Sequence, residues 1–554
     1  MSVVSTAGAR SRQSKTKGKI RPHPAPLPTA PPAPKAHQLS PQQASSLALA
    51  FTAGLAALTL LTQVRDTPRL LLAFWGAVAV LLAWNAALFV AARRRGRPFQ
   101  LTIEARKQHY LQACAQLSVF IYWGWYWRPV YESAHLIAAQ LAFAYAFDML
   151  LSWSRRNAYT LGFAPFPVIF SINLFLWFKP DWFYLQFAMV ALGFAAKEII
   201  RWQKDGRSAH IFNPSSFPLA VFSLGLLLTG SSHLTLGAEI ANTQFYPPHI
   251  YLMLFLIGLP GQFYFGVTSM TMSAAVTMYL FGLAYYAVTG IYFFLDSYIP
   301  IAVFLGMHLL FTDPSTSPRT ELGRILFGVF YALTTIALYQ LLSGMGAPSF
   351  YDKLLQVPIL NLTIKIIDRV ARSPFLRVVD PARLGSALAP RRRNLAYMSI
   401  WMLAFVVMSV FQGVGDSHRG QFVPFWQQAC SGNRPYACEY LANMQQTFCV
   451  RESGWACNEY GLLLARPPLD FDGARESFQR ACAFGFTAGC ANAARLASGE
   501  RTFERAPPRL DDYPVILRGT KGEITDRSPA GLYARACDQG WPDACGAASR
   551  AAAE

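Results

Sequence analysis

Charge is scarce in this sequence. Asp, Glu, Lys and Arg make up 14% of its 554 residues, whereas 53% are hydrophobic. Soluble globular domains carry about 25% charged residues, so the balance points to an integral membrane protein rather than a soluble enzyme. Acids are the scarcer sign, 30 against 49 bases, for a net charge of +19. A concentrated basic face would suit nucleic acid, but here Lys and Arg fall in short runs between apolar segments, the placement that orients membrane helices. The partner this implies is the lipid bilayer, and no nucleic acid. No cysteine set suits an iron–sulfur cluster, and no glycine-rich dinucleotide fingerprint opens a βαβ unit. The chain therefore does not take electrons from NADH unaided. Before Val410 the one cysteine is Cys114, which reads as a small core residue in an apolar segment.

What is present is a close succession of apolar runs. A membrane-crossing helix needs about 20 residues, and thirteen candidates follow one another: 46–64, 70–92, 110–127, 133–152, 161–178, 182–200, 214–230, 250–267, 270–289, 297–311, 325–344, 350–367 and 396–413. The fold class expected is all-α, a polytopic helical membrane protein with about 13 transmembrane helices. Ahead of them, residues 1–46 hold seven Lys or Arg and no acid, and read as a disordered basic cytoplasmic tail. The first apolar stretch begins too far in for a cleavable signal. The clusters at 93–97, 155–156 and 201–207 all follow even-numbered spans, so with the tail inside they all face the cytoplasm. Span 350–367 carries Asp352, Lys353, Pro358 and Lys365, and hydropathy alone would reject it. Counting it returns the basic stretch Arg369 to Arg393 to the cytoplasm. The last span then exits, which puts 414–554 outside, in the periplasm of a bacterium, with the spans in its inner (cytoplasmic) membrane.

The remaining eight cysteines bear on that orientation independently. They form four pairs, Cys430 with Cys438, Cys449 with Cys457, Cys482 with Cys490 and Cys537 with Cys545, each spaced by eight, and two repeat one frame, "RACAFGFTAGC" and "RACDQGWPDAC". The first cysteine would end one helix and the second would sit in the next, across a Gly-containing turn, within the roughly 4.4–6.8 Å Cα separation of a disulfide. Zinc is the alternative, but its motifs use shorter gaps and usually include His, and His418 is the sole histidine of this region. Disulfides form in oxidising compartments, so cysteine spacing and charge placement agree. The stretch 449–497 resembles a cysteine-rich Sel1-like repeat, a helical hairpin related to tetratricopeptide repeats. The resemblance spans about 430–550, with 500–530 departing from it in Pro and charge. It implies a surface for a periplasmic protein partner; a disulfide-stapled cap without a partner is the alternative.

Two polar clusters break the apolar pattern on the expected inner face. "HIFNPSSF" (210–217) precedes the seventh span, and "GMHLLFTDPSTSPRTELGR" (306–324) lies about 100 residues later. Pro suits the first turn of a helix; Asn213, Ser215 and Ser216 can cap exposed N–H groups of one helix, and Asp313, Ser315 and Thr316 those of another. Helix N-termini also bind anions, and irregular backbone at membrane depth is tolerated mainly where it lines a cavity.

Together with "APSFYDKLLQVPILNLTIKIIDR", these segments resemble the NqrB/RnfD family, membrane subunits of the Na⁺-pumping NADH:quinone oxidoreductase and of the Rnf electron-transport complex. The resemblance covers about 105–370 and implies a ten-helix core. It also implies membrane electron transport with a flavin or quinone between helices, coupling to Na⁺ or H⁺ movement, and partner subunits of a redox complex, that is, a component of a redox-driven ion-translocating oxidoreductase. Carried over by position, Asn213, Pro214 and Ser215 match F-N-P, Thr312, Asp313 and Pro314 match T-D-P, and "YFGVTSMTMS" (264–273), with Thr268, Ser269 and Thr271, matches a Gly- and Thr-rich segment near the cofactor. His210 and His308 flank the two motifs, and Ser216 and Ser315 extend them. The Ser-Gly-Ala-Thr context of a covalent FMN is missing from the loop "TGSSHLTLGAEIANTQFYPPH". The cofactor expected is therefore noncovalent, FMN or riboflavin, or a quinone. The implied organisation is a tail (1–46), an added hairpin (46–104), the core (105–370), a basic loop with the last helix (371–413) and the exterior repeats (414–554). Two other readings compete: a non-redox membrane transporter or binding protein, and a membrane-anchored adaptor acting through its repeats. Asp148, inside the fourth span, suits an ion relay or a pair with Arg155 or Arg156; Lys197 and Glu198 read as snorkelling residues.

Overall fold

The computed structural model describes residues 36–553 apart from 97, 205, 246, 296, 385–387, 412–413, 417, 518–523 and 525. Among them run twenty-five α-helices and five short strands. The tail expectation for 1–35 lies outside the described residues. Residues 36–46 are not an unstructured continuation of it. Strand β1 (Ala36–Leu39) pairs antiparallel with β2 (Phe99–Ile103), which pairs parallel with β3 (Ala158–Leu161). Ser40 then starts the first helix with a capping box closed by Gln43. The short strands were not legible because backbone pairing, not side-chain periodicity, makes them. A second pair, β4 (Arg201–Lys204) and β5 (Arg207–His210), forms an antiparallel hairpin.

Thirteen helices lie where the apolar runs fall: α1 (Pro41–Ala57), α2 (Pro68–Arg95), α3 (Lys107–Tyr126), α4 (Ala134–Arg156), α5 (Pro165–Asn173), α6 (Phe183–Ile199), α7 (Ser216–Leu228), α8 (Ile250–Phe265), α9 (Thr268–Thr289), α10 (Ile301–Leu309), α11 (Glu321–Gly344), α12 (Asp352–Ala371) and α13 (Pro390–Val410). Six are long and apolar enough to cross a membrane: α1 with its 3-10 extension to Leu60, α2, α4, α9, α11 and α13. Thirteen full spans is therefore too many by that measure. The clearest correction concerns α5 and α10, nine residues each and about 13 Å long, half a bilayer core. Every residue of α10 is buried, and all of α5 except Phe166. Hydropathy missed both breaks because the chain stays apolar beyond them, through Leu174–Phe178 and Leu309–Phe311.

The two half-helices hold the same place in two sets of five. In the first set α5 packs on α3 and α4, α4 on α6, α6 on α7, and α5 on α7. In the second α10 packs on α8 and α9, α9 on α11, α11 on α12, and α10 on α12. The sets meet through their like members, α3 on α8 and α7 on α12. The tightest crossing joins α9 and α11 at Gly328, where a Cβ would stand 2.2 Å from the Met270 carbonyl oxygen. Outside the sets, α1 and α2 pack on α4, and α13 on α8 and α9.

Broken helices leave backbone groups that a membrane interior cannot hydrate. Side-chain amides meet them here. Gln244 Nε2 donates to the Leu174 carbonyl and Trp177 Nε1 to that of Asn173. Gln112 Nε2 donates to Leu309 O (3.1 Å) and Asn213 Nδ2 to Leu310 O (3.2 Å). A buried amide cluster, Gln140, Asn173 and Gln186, ties α4, α5 and α6 together at 2.8–3.0 Å.

Beyond α13 the chain forms helical hairpins: α14 (Val423–Ser431), α15 (Ala437–Val450), α16 (Gly454–Leu464), α17 (Phe471–Ala483), α18 (Thr487–Ala497), α19 (Pro529–Asp538) and α20 (Pro542–Ala551). All four expected disulfides form: Cys430 with Cys438, Cys449 with Cys457, Cys482 with Cys490, and Cys537 with Cys545, at Cα separations of 4.5–4.7 Å. The first cysteine of each pair ends a helix. Its partner, Cys438, Cys457, Cys490 or Cys545, sits in the first turn of the next. The departing segment after Ser498 lies across α16 and α18. Asn492 clamps the Glu504 backbone, accepting its N–H at 2.6 Å and donating to its C=O at 2.7 Å, and Arg505 pairs with the buried Glu459 at 2.9 Å. The domain rests on the loop between α9 and α10: Tyr440 donates to Phe293 O, and the buried His418 ring lies 4.1 Å from that of Tyr292.

Candidate functional site

Asn213 explains why an Asn-Pro-Ser-Ser cluster stands before α7. Its Oδ1 accepts from the N–H of Ser215 (3.0 Å) and Ser216 (3.1 Å) and from the Ser215 hydroxyl (2.7 Å), which caps the helix. Its Nδ2 closes the end of α10 at Leu310. Its own N–H donates to Asn361 Oδ1 on α12 (3.0 Å), and Asn361 Nδ2 reaches Thr316 O (3.4 Å). The two polar motifs, about 100 residues apart in sequence, are thus stitched into one unit, with Asn361 as a joint that the sequence reading missed.

The T-D-P segment is held just as firmly. Asp313 accepts from Ser315 N–H (2.9 Å) and the Thr316 hydroxyl (3.3 Å). Asp368 on α12 accepts from the N–H groups of Arg319 and Thr320 at 3.0 and 3.2 Å. His210, the last residue of β5, places Nε2 3.6 Å from Asp313 Oδ2. Burial works against ionisation of Asp313, but His210 and the Ser315 N–H outweigh it and hold the carboxyl below its ordinary value.

A cavity of about 90 Å³ opens between these motifs and the first set. His210, Asn213, Pro214 and Ser215 line one side and Asp313, Pro314 and Ser315 another. The rest of the wall was not anticipated: Gln108, His109 and Gln112 from the first turns of α3, Ala164, Pro167 and Val168 around the start of α5, Lys197 near the end of α6, and Phe265 ending α8. The signal available was Gln108, Gln112 and Gln116 on one face of α3 at four-residue spacing. Lys197 and Glu198 part company: Glu198 pairs with Arg156 at 3.4 Å, while Lys197 turns to the cavity and has no carboxylate within ion-pair distance among the described residues. Asp148 is buried and pairs with neither Arg155 nor Arg156.

Six expected site residues lie away from the cavity. Ser216 is buried within the α7 cap. Thr268, Ser269, Thr271, His308 and Thr312 are packed in the second set: Ser269 donates to Glu321 (3.2 Å), Thr271 to Met307 O (3.2 Å) and Thr312 to His308 O (3.1 Å). The His308 ring lies among Phe304, Phe255 and Trp401, with Nδ1 2.8 Å from Phe304 O. The disulfide cysteines, Cys430, Cys438, Cys449, Cys457, Cys482, Cys490, Cys537 and Cys545, take no part in the cavity wall; they staple the hairpins beyond α13. Cys114, expected in a core, is exposed on α3.

The cavity and the disulfide-bonded domain lie at opposite ends of α9. Thr268 stands three residues after the cavity residue Phe265, and the loop after Thr289 packs on the domain. The 22 residues between span about 33 Å, a bilayer core. Compared with protein-family models, curated proteins and solved structures, the chain matches none.

Proposed function

We propose that this protein is a non-redox membrane carrier or binding protein for a small polar solute, taken up at the cavity between the two five-helix sets. The observation that carries the reading is the pairing of α5 and α10, two buried half-helices at corresponding positions of two sets with matching contacts. Interrupted helices in corresponding positions of two halves are the strongest sequence-to-structure pointer to a transport site. With α5 and α10 continued by the apolar segments after Asn173 and Leu309, each set crosses five times and the two sets run in opposite senses across the membrane, the arrangement that alternating access uses. On this reading the cavity faces the cytoplasm and the disulfide-bonded domain lies in the periplasm.

Reconstituted vesicles test it. Solute flux into proteoliposomes should exceed that of protein-free vesicles and fall when Ser215→Trp fills the cavity. Equal flux in protein-containing and protein-free vesicles for a panel of small polar solutes overturns it.

A second reading is a membrane electron-transport subunit with noncovalent FMN, riboflavin or a quinone. It is favoured by the meeting of the segments that carry F-N-P and T-D-P, through His210 with Asp313 and through Asn361 between Asn213 and Thr316. The cavity counts against it, since about 90 Å³ is well short of the roughly 300–1,000 Å³ of ligand pockets. Absorption spectra and mass spectrometry of purified protein separate the two: a flavin band or a bound quinone supports the second, a colourless folded preparation the first. The adaptor reading is weakened by the segment around Glu504 and Arg505, which covers one face of α16 and α18.

A further inference from the structure

The charge lining the cavity narrows the class of solute, resting on the reading of the cavity as a solute site. Its one acid, Asp313, is already satisfied by His210, Ser315 and Thr316. Its lysine, Lys197, has no carboxylate within ion-pair distance among the described residues. His109 stands beside it in a field to which Lys197 and Arg106 contribute and which Asp313 and Glu104 oppose, and Arg106 is paired with Glu104 at 2.8 Å, so the uncompensated charge on the α3–α6 side is that of Lys197. The remaining donors there are neutral: the amides of Gln108 and of Gln112, which keeps one N–H beyond its bond to Leu309 O; the Ser215 hydroxyl is committed to Asn213. The amino ends of α3, α5 and α7 all line the same space, and their dipoles carry the same positive sign.

We propose that the cavity binds a small oxyanion, a carboxylate or a phosphate, with its charge met by Lys197 and its oxygens by His109, Gln108 and Gln112. The volume of about 90 Å³ admits an ion the size of a few water molecules. A Lys ammonium, as a compact point charge, suits either a planar or a tetrahedral oxyanion.

The test uses the full chain purified in detergent, with thermal unfolding followed by tryptophan fluorescence. Sodium formate and sodium phosphate are compared with the bulky anion gluconate at equal ionic strength, and with formamide, the neutral counterpart of formate. Formate or phosphate should raise Tm saturably, as a ligand of the native state does; gluconate and formamide should not. Lys197→Gln should weaken the response at least about tenfold and Lys197→Arg much less, a one-charge effect of about 1.4 kcal/mol or more. Lys197 makes no ion pair among the described residues, so both variants are expected to fold. A response to formamide equal to that of formate would overturn the anion assignment while leaving a solute site in place. No response to any probe, or an undiminished response in Lys197→Gln, would overturn it as well; the carrier reading would then stand or fall on the vesicle flux.

Discussion

Replacing Asn213 by Ala removes four side-chain hydrogen bonds at a residue that is 4% exposed. Loss of an N-cap costs about 1 kcal/mol, within a range of about 0.5–2. The Leu310 carbonyl, left without its donor inside a helical core, adds about 1–3 kcal/mol. The sum is about 2–4 kcal/mol, large for a single substitution. Asn213→Ser separates the two parts. A serine hydroxyl can still cap α7 but cannot reach Leu310, so it should recover about 1 kcal/mol and no more. The joint at Asn361 provides an internal control: Asn213→Ala and Asn361→Ala share one network, and the double mutant should fall short of additivity by about 0.5 kcal/mol or more. Unfolding of the detergent-purified protein in mixed micelles, followed by tryptophan fluorescence, measures all four variants. Asn213→Ala within about 0.5 kcal/mol of the parent, or equal losses for Ala and Ser, would refute the reasoning.

Three further outcomes follow from the packing. Gly328→Ala gains helix propensity, worth about 1 kcal/mol, yet should destabilise, because the added Cβ meets the Met270 carbonyl at 2.2 Å; unfolding in the same micelles reads the sign. Burial pushes the His418 imidazole down to about 3 from its ordinary 6.5, so its proton prefers the unfolded chain. Stability from this site is complete above about pH 6.5 and drains away as pH falls toward 3, by about 2 kcal/mol at pH 5. His418→Gln should flatten that part of the pH profile in a thermal-shift series. Asn492→Ala leaves the Glu504 N–H without its acceptor and its C=O with only the longer bond from Asn458, and should expose the segment around Arg505 to trypsin, which limited proteolysis would show as faster cleavage with the membrane core unchanged.

The parts of this fold that the sequence discloses are those written in one residue type at fixed spacing. Cysteines eight apart across a turn, as Cys482 and Cys490 are, reach one another because a helix end and the next helix start are neighbours in a hairpin. Pro after Asn or Asp marks a capped turn: Asn213 caps α7, whereas Asp313 caps only the 3-10 turn Pro314–Thr316 and Thr320 caps α11. What stayed hidden depends on partners distant in sequence. The breaks after Asn173 and Leu309 look like continuous apolar spans, since the amides that satisfy them, Gln244, Gln112 and Asn213, come from other segments. Trp123 and Trp177 look interfacial by composition, yet they are buried with ring centroids 5.9 Å apart, filling space beyond the end of α5. Lys197 reads as a snorkelling residue because one helix cannot show that three others end around its ammonium.

Orientation is the claim on which the cavity, the carrier reading and the oxidised domain all depend, and cysteine labelling in living cells tests it most directly. In a Cys114→Ala background, Ser208→Cys places one reporter thiol on the exposed edge of the β4–β5 hairpin. A membrane-impermeant maleimide should label it only after permeabilisation, and should leave the eight cysteines of the disulfide-bonded domain untouched until a reductant is added. Labelling of Ser208→Cys in intact cells, or of the domain cysteines without reduction, would contradict the account.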